Sequence, residues 1–268
     1  MDEYNKFGHD ASEDAEQIEQ NNNKAKKRLK TNLTVDSRIV QLFTFDLNQK
    51  RRFVIGTDEA GRGCGAGGVF ASAVCFDKRS KELVEKLENL NDSKKLSPKK
   101  REVLYDIIKE NSVNSTVCIE VDEIERINIL NASLKAMRLA IEDVINQLYP
   151  VPSGKDKLVA RNMLSRSEIM ILIDGNKRIW DFDYSQRYVV KGDSRSASIA
   201  AASILAKVSR DRYMLKLDEE FPEYNWKENA GYLTKEHMAL IDKYGLCKYH
   251  RPSYLRKHFA KQEQLSLF

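Results

Sequence analysis

From residue 53 onward the chain alternates short apolar runs with longer amphipathic stretches. Runs at 53–58 and 68–76 flank a glycine-rich turn and predict two strands of one sheet. A charged helix is predicted over 81–90. Ser97 before Pro98, followed by Val103, Leu104, Ile107 and Ile108, reads as an N-cap, a proline in the first turn and an amphipathic helix. Residues 115–121 carry the β-branched Thr116, Val117, Ile119 and Val121 and predict a third strand. Leu130, Leu134, Met137, Ile141, Ile145 and Leu148 form one stripe of a long helix over 128–148. The run 168–173 climbs to Asp174 as another strand, and 188–191 is a further short one leading into Gly192-Asp193. An alanine-rich helix over 194–217 suits close packing on a sheet; from 221 to 258 the pattern breaks into shorter helices and turns. Residues 150–167, with two prolines, Gly154 and several Lys and Arg, read as a polar loop long enough to be an insertion.

Alternating strands and helices over 52–217 argue an α/β core with a helical C-terminal cap. The expected organisation is a disordered or loosely docked tail over 1–50, a catalytic domain over 51–217, a helical substrate-binding part over 218–259 and a flexible tail over 260–268. The first 32 residues run acidic, then Asn-rich, then basic, with no apolar period. Residues 33–50 hold Ile39, Val40, Leu42, Phe43 and Phe45, enough for a short docking segment.

Composition narrows the class. At 268 residues the chain can bury one good core and a small second unit. The net charge of +5 permits a polyanionic partner without requiring one. No apolar run approaches the roughly 20 residues that span a bilayer, and the polar N-terminus does not read as a signal peptide. Cys64, Cys75, Cys118 and Cys247 are scattered, with no C-x-x-C pair, and read as reduced cytosolic thiols. A cytoplasmic monomer is the expectation.

The chemistry gathers at strand ends. Asp58-Glu59, Asp174 and Asp193 each close an apolar run. In an open sheet such ends form a crevice where ligands bind. Singly, each acid reads more readily as a surface group or a helix cap. Together they would repel one another unless cations intervene, and oxygen-only ligands favour Mg²⁺ or Mn²⁺. Two such ions are the standard device for displacement at phosphorus, and then no histidine base is needed. His9, His237, His250 and His258 form no zinc spacing. Between Asp58-Glu59 and the second strand, Gly61, Gly63, Gly65, Gly67 and Gly68 let main chain approach a ligand closely. The spacing Gly63-x-Gly65-x-x-Gly68 also fits a dinucleotide fingerprint, but the strand-like residues up to Phe76 leave no room for the helix that reading requires.

With these residues assembled, the chain resembles the ribonuclease HII (type 2 ribonuclease H) family over about 53–258. The resemblance rests on an ordered set of motifs: Asp58-Glu59-Ala60-Gly61-Arg62-Gly63; Asp92-Ser93-Lys94-Lys95-Leu96-Ser97; Asn128-Ile129-Leu130-Asn131-Ala132-Ser133; Ile173-Asp174-Gly175-Asn176; Lys191-Gly192-Asp193; the run from Ser198 to Val208 with Arg210-Asp211; and Gly231-Tyr232-x-Thr234-Lys235-Glu236-His237 with His250-Arg251. It implies an RNase H-like mixed sheet flanked by helices. It implies cutting of the RNA strand of RNA–DNA hybrids and of duplex DNA 5′ to an embedded ribonucleotide, leaving 3′-hydroxyl and 5′-phosphate ends. Asp58, Glu59, Asp174 and Asp193 would be the catalytic acids holding two divalent ions, Mn²⁺ or Mg²⁺. Gly61, Arg62 and Gly63 would read the 2′-hydroxyl and adjacent phosphate, Tyr232 the following deoxyribose, and Ser93, Lys94 and Lys95 the phosphates. Lys207, Arg210 and Asp211 would support the site, with Asp211 the next ligand in line. A DNA-cutting or strand-transfer enzyme of the same fold, or a non-catalytic clamp-bound DNA adaptor, are the other readings.

One stretch departs from the pattern. Cys64-Gly65-Ala66-Gly67-Gly68 stands where many relatives carry proline and leucine, and a looser turn is expected there. At the other end, Gln264-Leu265-Ser266-Leu267-Phe268 resembles the bacterial sliding-clamp binding motif. Gln264, Leu265, Leu267 and Phe268 would contact the clamp, as an amide and apolar anchors entering a pocket.

Overall fold

A computed structural model describes residues 37–152 and 155–265. The side chains of residues 261–265 lie outside the described set, as do residues 1–36 and 266–268 altogether. The expected tail over 1–32 and the clamp-binding side chains therefore fall outside it.

Strands β1 (Phe53–Ala60), β2 (Val69–Cys75), β3 (Val113–Ile119), β4 (Ile169–Asp174) and β5 (Ser185–Val189) form one mixed sheet in the order β3-β2-β1-β4-β5. β1, β2 and β3 pair antiparallel, whereas β1, β4 and β5 run parallel. The helices in chain order are α1 (Arg38–Leu47), α2 (Lys81–Lys86), α3 (Pro98–Asn111), α4 (Val121–Ile127), α5 (Ile129–Leu148), α6 (Lys155–Glu168), α7 (Ala197–Glu220), α8 (Trp226–Asn229), α9 (Lys235–Tyr244) and α10 (Pro252–Leu265).

Strand alternation divides the core between two faces. Ile55, Ala71, Ala73, Ile169, Ile171 and Ile173 pack on α5. Val74 and Phe76, on the other face, join α1, α3 and the alanines of α7. α7 lies directly on β1: a Cβ at Gly56 would stand 2.3 Å from the Ile199 nitrogen. A third cluster, around Trp226, Tyr224, Met214 and Leu255, is the helical C-terminal cap.

Several elements differ from expectation. The polar loop expected over 150–167 contains helix α6. Its Val159, Met163 and Leu164 are exposed, so no buried stripe announces it. Good helix formers and a few anchors hold it instead: Arg161 donates to the Tyr149 carbonyl (3.0 Å) and Asn146 Oδ1 (2.8 Å). The third strand is displaced by two residues to Val113–Ile119, because Val121 opens α4. β5 lies at Ser185–Val189 and not at 188–191, since Lys191 turns left-handed (φ 54°) into a short 3₁₀ turn. The segment expected to dock loosely over 33–50 contains α1, whose Ile39, Val40, Leu42, Phe43 and Leu47 are buried.

α1 also contributes a buried acid. Asp46 accepts from Ser196 Oγ (2.5 Å), Ser198 N (2.9 Å) and Ser198 Oγ (2.6 Å), and so caps α7 from outside that helix.

Candidate active site

The register of two parallel strands brings the first acids together. Thr57 pairs with Ile173, so the next residues, Asp58 and Asp174, are neighbours at the carboxyl ends of β1 and β4. Both occupy the face that α7 covers, as their alternation with Ile55 and Ile173 requires. Glu59 alternates to the opposite face, yet it reaches the same cavity from the strand end. The 3₁₀ turn Gly192–Ser194 delivers the fourth acid: the Gly192 amide donates to Asp174 Oδ1 at 2.6 Å, holding Asp193 nearby.

These acids line a cavity of about 210 Å³ with Gly61, Arg62, Gly63, Ser93, Lys94, Ser203, Lys207, Arg210 and Tyr232. Of the residues expected to contact substrate, Lys95 is not on this wall; it is exposed at the end of the Ser93–Lys95 turn. Asp211 is also off the wall, paired with Lys207 (2.6 Å) and Arg101 (3.6 Å). Three contributors went unrecognised in the sequence. Ser203 donates to Asp58 and is bonded to Ser93 Oγ at 3.0 Å, Asp92 lies against Asp193, and Arg251 reaches the glycine turn. Ser203 looked like one more small residue of an alanine-rich helix, although Asp92 and Arg251 were visible inside the motifs.

The electrostatics follow from crowding. Burial, then the charges of Glu59 and Asp174, push the Asp58 carboxyl well above the usual carboxylate range. Burial also raises Glu59, against the pull of Arg62, which pairs with it at 3.0 Å. Asp193 is raised by burial and then by Asp92 and Asp174. Cations line the same cavity: Lys207 and the buried Arg210, with Arg62 on Glu59 and Lys94 near Asp193. Acids and cations thus share one cavity, a lining able to meet both a cation and an anion.

Among the described residues, no group of three or more His, Cys, Asp or Glu side chains already stands arranged to hold a metal ion. The donor chemistry nevertheless fits one. Asp58 and Asp174 each accept one backbone amide, from Glu59 (2.7 Å) and Gly192 (2.6 Å), which fixes them and leaves further lone pairs. Burial first, and neighbouring acids second, raise these carboxyls, and a hard divalent cation would favour their charged forms.

The departure at Cys64–Gly68 does not loosen the turn. Gly65 N and Ala66 N donate to the Gly231 carbonyl (2.9 and 3.2 Å), and Gly67 N donates to Tyr249 O (2.8 Å). Cys64 is fully buried and its thiol is bonded to the Tyr232 hydroxyl. Tyr232 itself is 48% exposed, its ring open to the cavity. Behind it, His237 Nδ1 lies 2.9 Å from the Tyr232 carbonyl.

Comparison with known proteins agrees with this geometry. The family model for Ribonuclease HII matches residues 55–262. Ribonuclease HII of Fusobacterium nucleatum subsp. nucleatum is 42% identical over 224 residues, covering 83% of this chain and 94% of the relative. That of Caldicellulosiruptor bescii is 43% identical over 211 residues, covering 78% and 90%. Among solved structures, the PCNA:RNase HII complex from Archaeoglobus fulgidus aligns with TM-score 0.55 at 20% identity, over 74% of this chain and 93% of that one. Ribonuclease H2 from Pyrococcus horikoshii OT3 aligns with TM-score 0.52 at 22% identity, over 75% and 93%.

Proposed function

The chain belongs to the ribonuclease HII family and is a ribonuclease H that degrades the RNA of RNA–DNA hybrids, and we propose that it also incises duplex DNA 5′ to embedded ribonucleotides by two-metal-ion catalysis. The observation that carries this reading is the gathering of Asp58, Glu59, Asp174 and Asp193 around one cavity with Gly61-Arg62-Gly63 and Tyr232.

Asp58, Glu59, Asp174 and Asp193 would hold two Mg²⁺ or Mn²⁺ ions. These ions would supply Lewis-acid stabilisation at phosphorus and a nucleophile at neutral pH. The chain's own residues do the rest. Ser203 and the Glu59 amide orient the Asp58 carboxylate. Lys94, beside Asp193 and following Ser93, neutralises phosphate charge; exposed Lys95 serves strand approaching from outside. The turn Gly61-Arg62-Gly63 brings main chain up to the ribose, where the 2′-hydroxyl distinguishes RNA from DNA. The exposed Tyr232 ring packs on the next sugar and senses the change to deoxyribose. The products carry 3′-hydroxyl and 5′-phosphate.

The test is a duplex with one ribonucleotide and its all-DNA twin, each incubated with Mg²⁺ or Mn²⁺. Cutting only the first, on its 5′ side, is expected. Equal cutting of both would overturn 2′-hydroxyl recognition in favour of a DNA nuclease, and cutting of neither would leave the adaptor reading. The segment Gln264, Leu265, Leu267 and Phe268 is proposed to bind a bacterial sliding clamp; its deletion should abolish clamp binding and spare cleavage of short duplexes.

A further inference from the structure

Two arginines are buried beneath the glycine turn. Arg210, on α7, is 1% exposed and Arg251, just before α10, is 0% exposed. Arg251 donates from Nε and Nη2 to the Gly67 carbonyl (2.9 and 2.6 Å), and from Nη1 to the carbonyls of Gly61 (2.8 Å) and Arg62 (3.4 Å). Its own amide donates to Gly65 O at 2.7 Å. Arg210 donates to the carbonyls of Ala66 (3.1 Å) and Ala230 (3.0 Å). Tyr254 Oη adds a bond to the Arg62 carbonyl.

This arrangement is costly. Among the described residues, neither guanidinium forms an ion pair with a carboxylate. Arg251 is met by neutral carbonyls and by the Tyr254 ring at 5.6 Å, Arg210 by neutral carbonyls, and Arg210 Nε has no acceptor. That nitrogen lies under Gly61, where a Cβ would stand 2.2 Å from it. A fold seeking stability alone would place apolar side chains here.

The bonds also decide which way the turn faces. All its peptide bonds are trans. A carbonyl turned down to a guanidinium therefore turns the following amide up. Gly61 and Arg62 carbonyls point inward, so the amides of Arg62 and Gly63 point to the cavity. Neither amide has a protein acceptor among the described residues. Adjacent free amides over buried positive charge make a concave site for an anion.

We propose that Arg210 and Arg251 are positioning residues: they fix the glycine turn with its carbonyls buried and the amides of Arg62 and Gly63 presented to a substrate phosphate. This deepens the ribonucleotide-incision reading and rests on it for the identity of the phosphate. Because Arg210 also holds the Ala230 carbonyl, and Gly231 holds the turn's amides, the same clamp sets the turn's position relative to Tyr232.

The experiment compares wild type with Arg251→Lys and Arg210→Lys, which keep the charge and lose the fork. Tyr224→Phe, which removes a bond to the Gly245 carbonyl in the same cap, is the control for simple destabilisation. Hydrogen exchange of amides 62–68 is read on the protein alone, and cleavage of the one-ribonucleotide duplex is read as KM and kcat separately. Expected for both lysine variants is exchange in the turn faster by about tenfold, KM raised about tenfold or more, and little change elsewhere. Tyr224→Phe should lower the melting temperature without either effect. Unchanged exchange in well-folded lysine variants would overturn the clamp, and faster exchange with unaltered KM would overturn the positioning role. Should wild type cut no ribonucleotide duplex, the functional reading falls by itself, while the exchange measurement still decides whether the arginines hold the turn.

Discussion

Asp58 and Asp174 are neighbours on parallel strands, one residue beyond the Thr57–Ile173 pair, and both lie on the face covered by α7. Antiparallel pairing of β1 and β4 would have sent their carboxyl ends to opposite edges. Parallel pairing is what makes two distant acids one site, and burial, followed by the charges of Glu59 and Asp174, raises the Asp58 carboxyl there.

Replacing either acid by its amide should separate catalysis from folding. Asp58→Asn and Asp174→Asn are expected to lower cleavage by about three orders of magnitude, because each would remove the charge of a proposed metal ligand. The melting temperature of Asp58→Asn in EDTA should equal or exceed wild type, since a crowded buried carboxylate is replaced by a neutral group. Added Mg²⁺ or Mn²⁺ should raise the melting temperature of wild type and not of the variants. Turnover retained in both variants, or metal stabilisation undiminished by them, would remove the metal assignment.

Tyr232 is half exposed while its backbone is fixed from behind by His237. Tyr232→Ala should therefore cost little stability. Cleavage at a single ribonucleotide should fall by about ten- to a hundredfold, and more than cleavage of a long hybrid, where no junction needs sensing. Equal losses on the two substrates would count against a junction role.

Asp46 makes a prediction about a segment the family match, which starts at residue 55, does not include. Asp46→Ala should cost about 2 kcal/mol, at the upper end for a helix cap, because the Ser196 and Ser198 hydroxyls lose a buried acceptor. Deleting residues 1–51 should cost much more than deleting 1–36, since it also strips Leu42, Phe43 and Leu47 from the core. Denaturant unfolding of the three forms checks this; equal stability of the two truncations would show α1 to be dispensable.

These cases show what was legible in the sequence. The acids could be found because each closes an apolar run, and their number and chemistry already suggested cations. The partners that orient them could not. Asp46 meets Ser196 across 150 residues of chain and looks locally like any polar helix position. Arg210 and Arg251 sit among other charged residues, and only packing reveals that they point inward. α6 escaped notice because it buries almost no stripe, and the period of burial is the signal a reader has.

The cap carries a pH dependence whose sign can be worked out. His250 Nδ1 accepts the Cys247 amide (3.0 Å), so its proton sits on Nε2, facing His237 Nε2 at 3.2 Å. His237 faces the Tyr232 carbonyl with Nδ1, which must then carry the proton, and accepts the Trp226 indole N–H (3.1 Å) with Nε2. The network is complete with both rings neutral. Burial, and then His237, lower His250 from 6.5 to about 4, and burial lowers His237 as well. A base depressed in the folded state is protonated first in the unfolded chain. The stability it supports is therefore full above about pH 6.5 and lost as pH falls toward 4, by about 3 kcal/mol for His250. Asp58, Glu59 and Asp193 act oppositely, because raised carboxyls take up protons first in the folded state. The contribution of the cap is thus isolated by comparing unfolding free energies of wild type and His250→Gln from pH 7.5 to 4.5. The variant should start less stable and lose less on acidification; parallel curves would mean that the histidine pair does not titrate with unfolding.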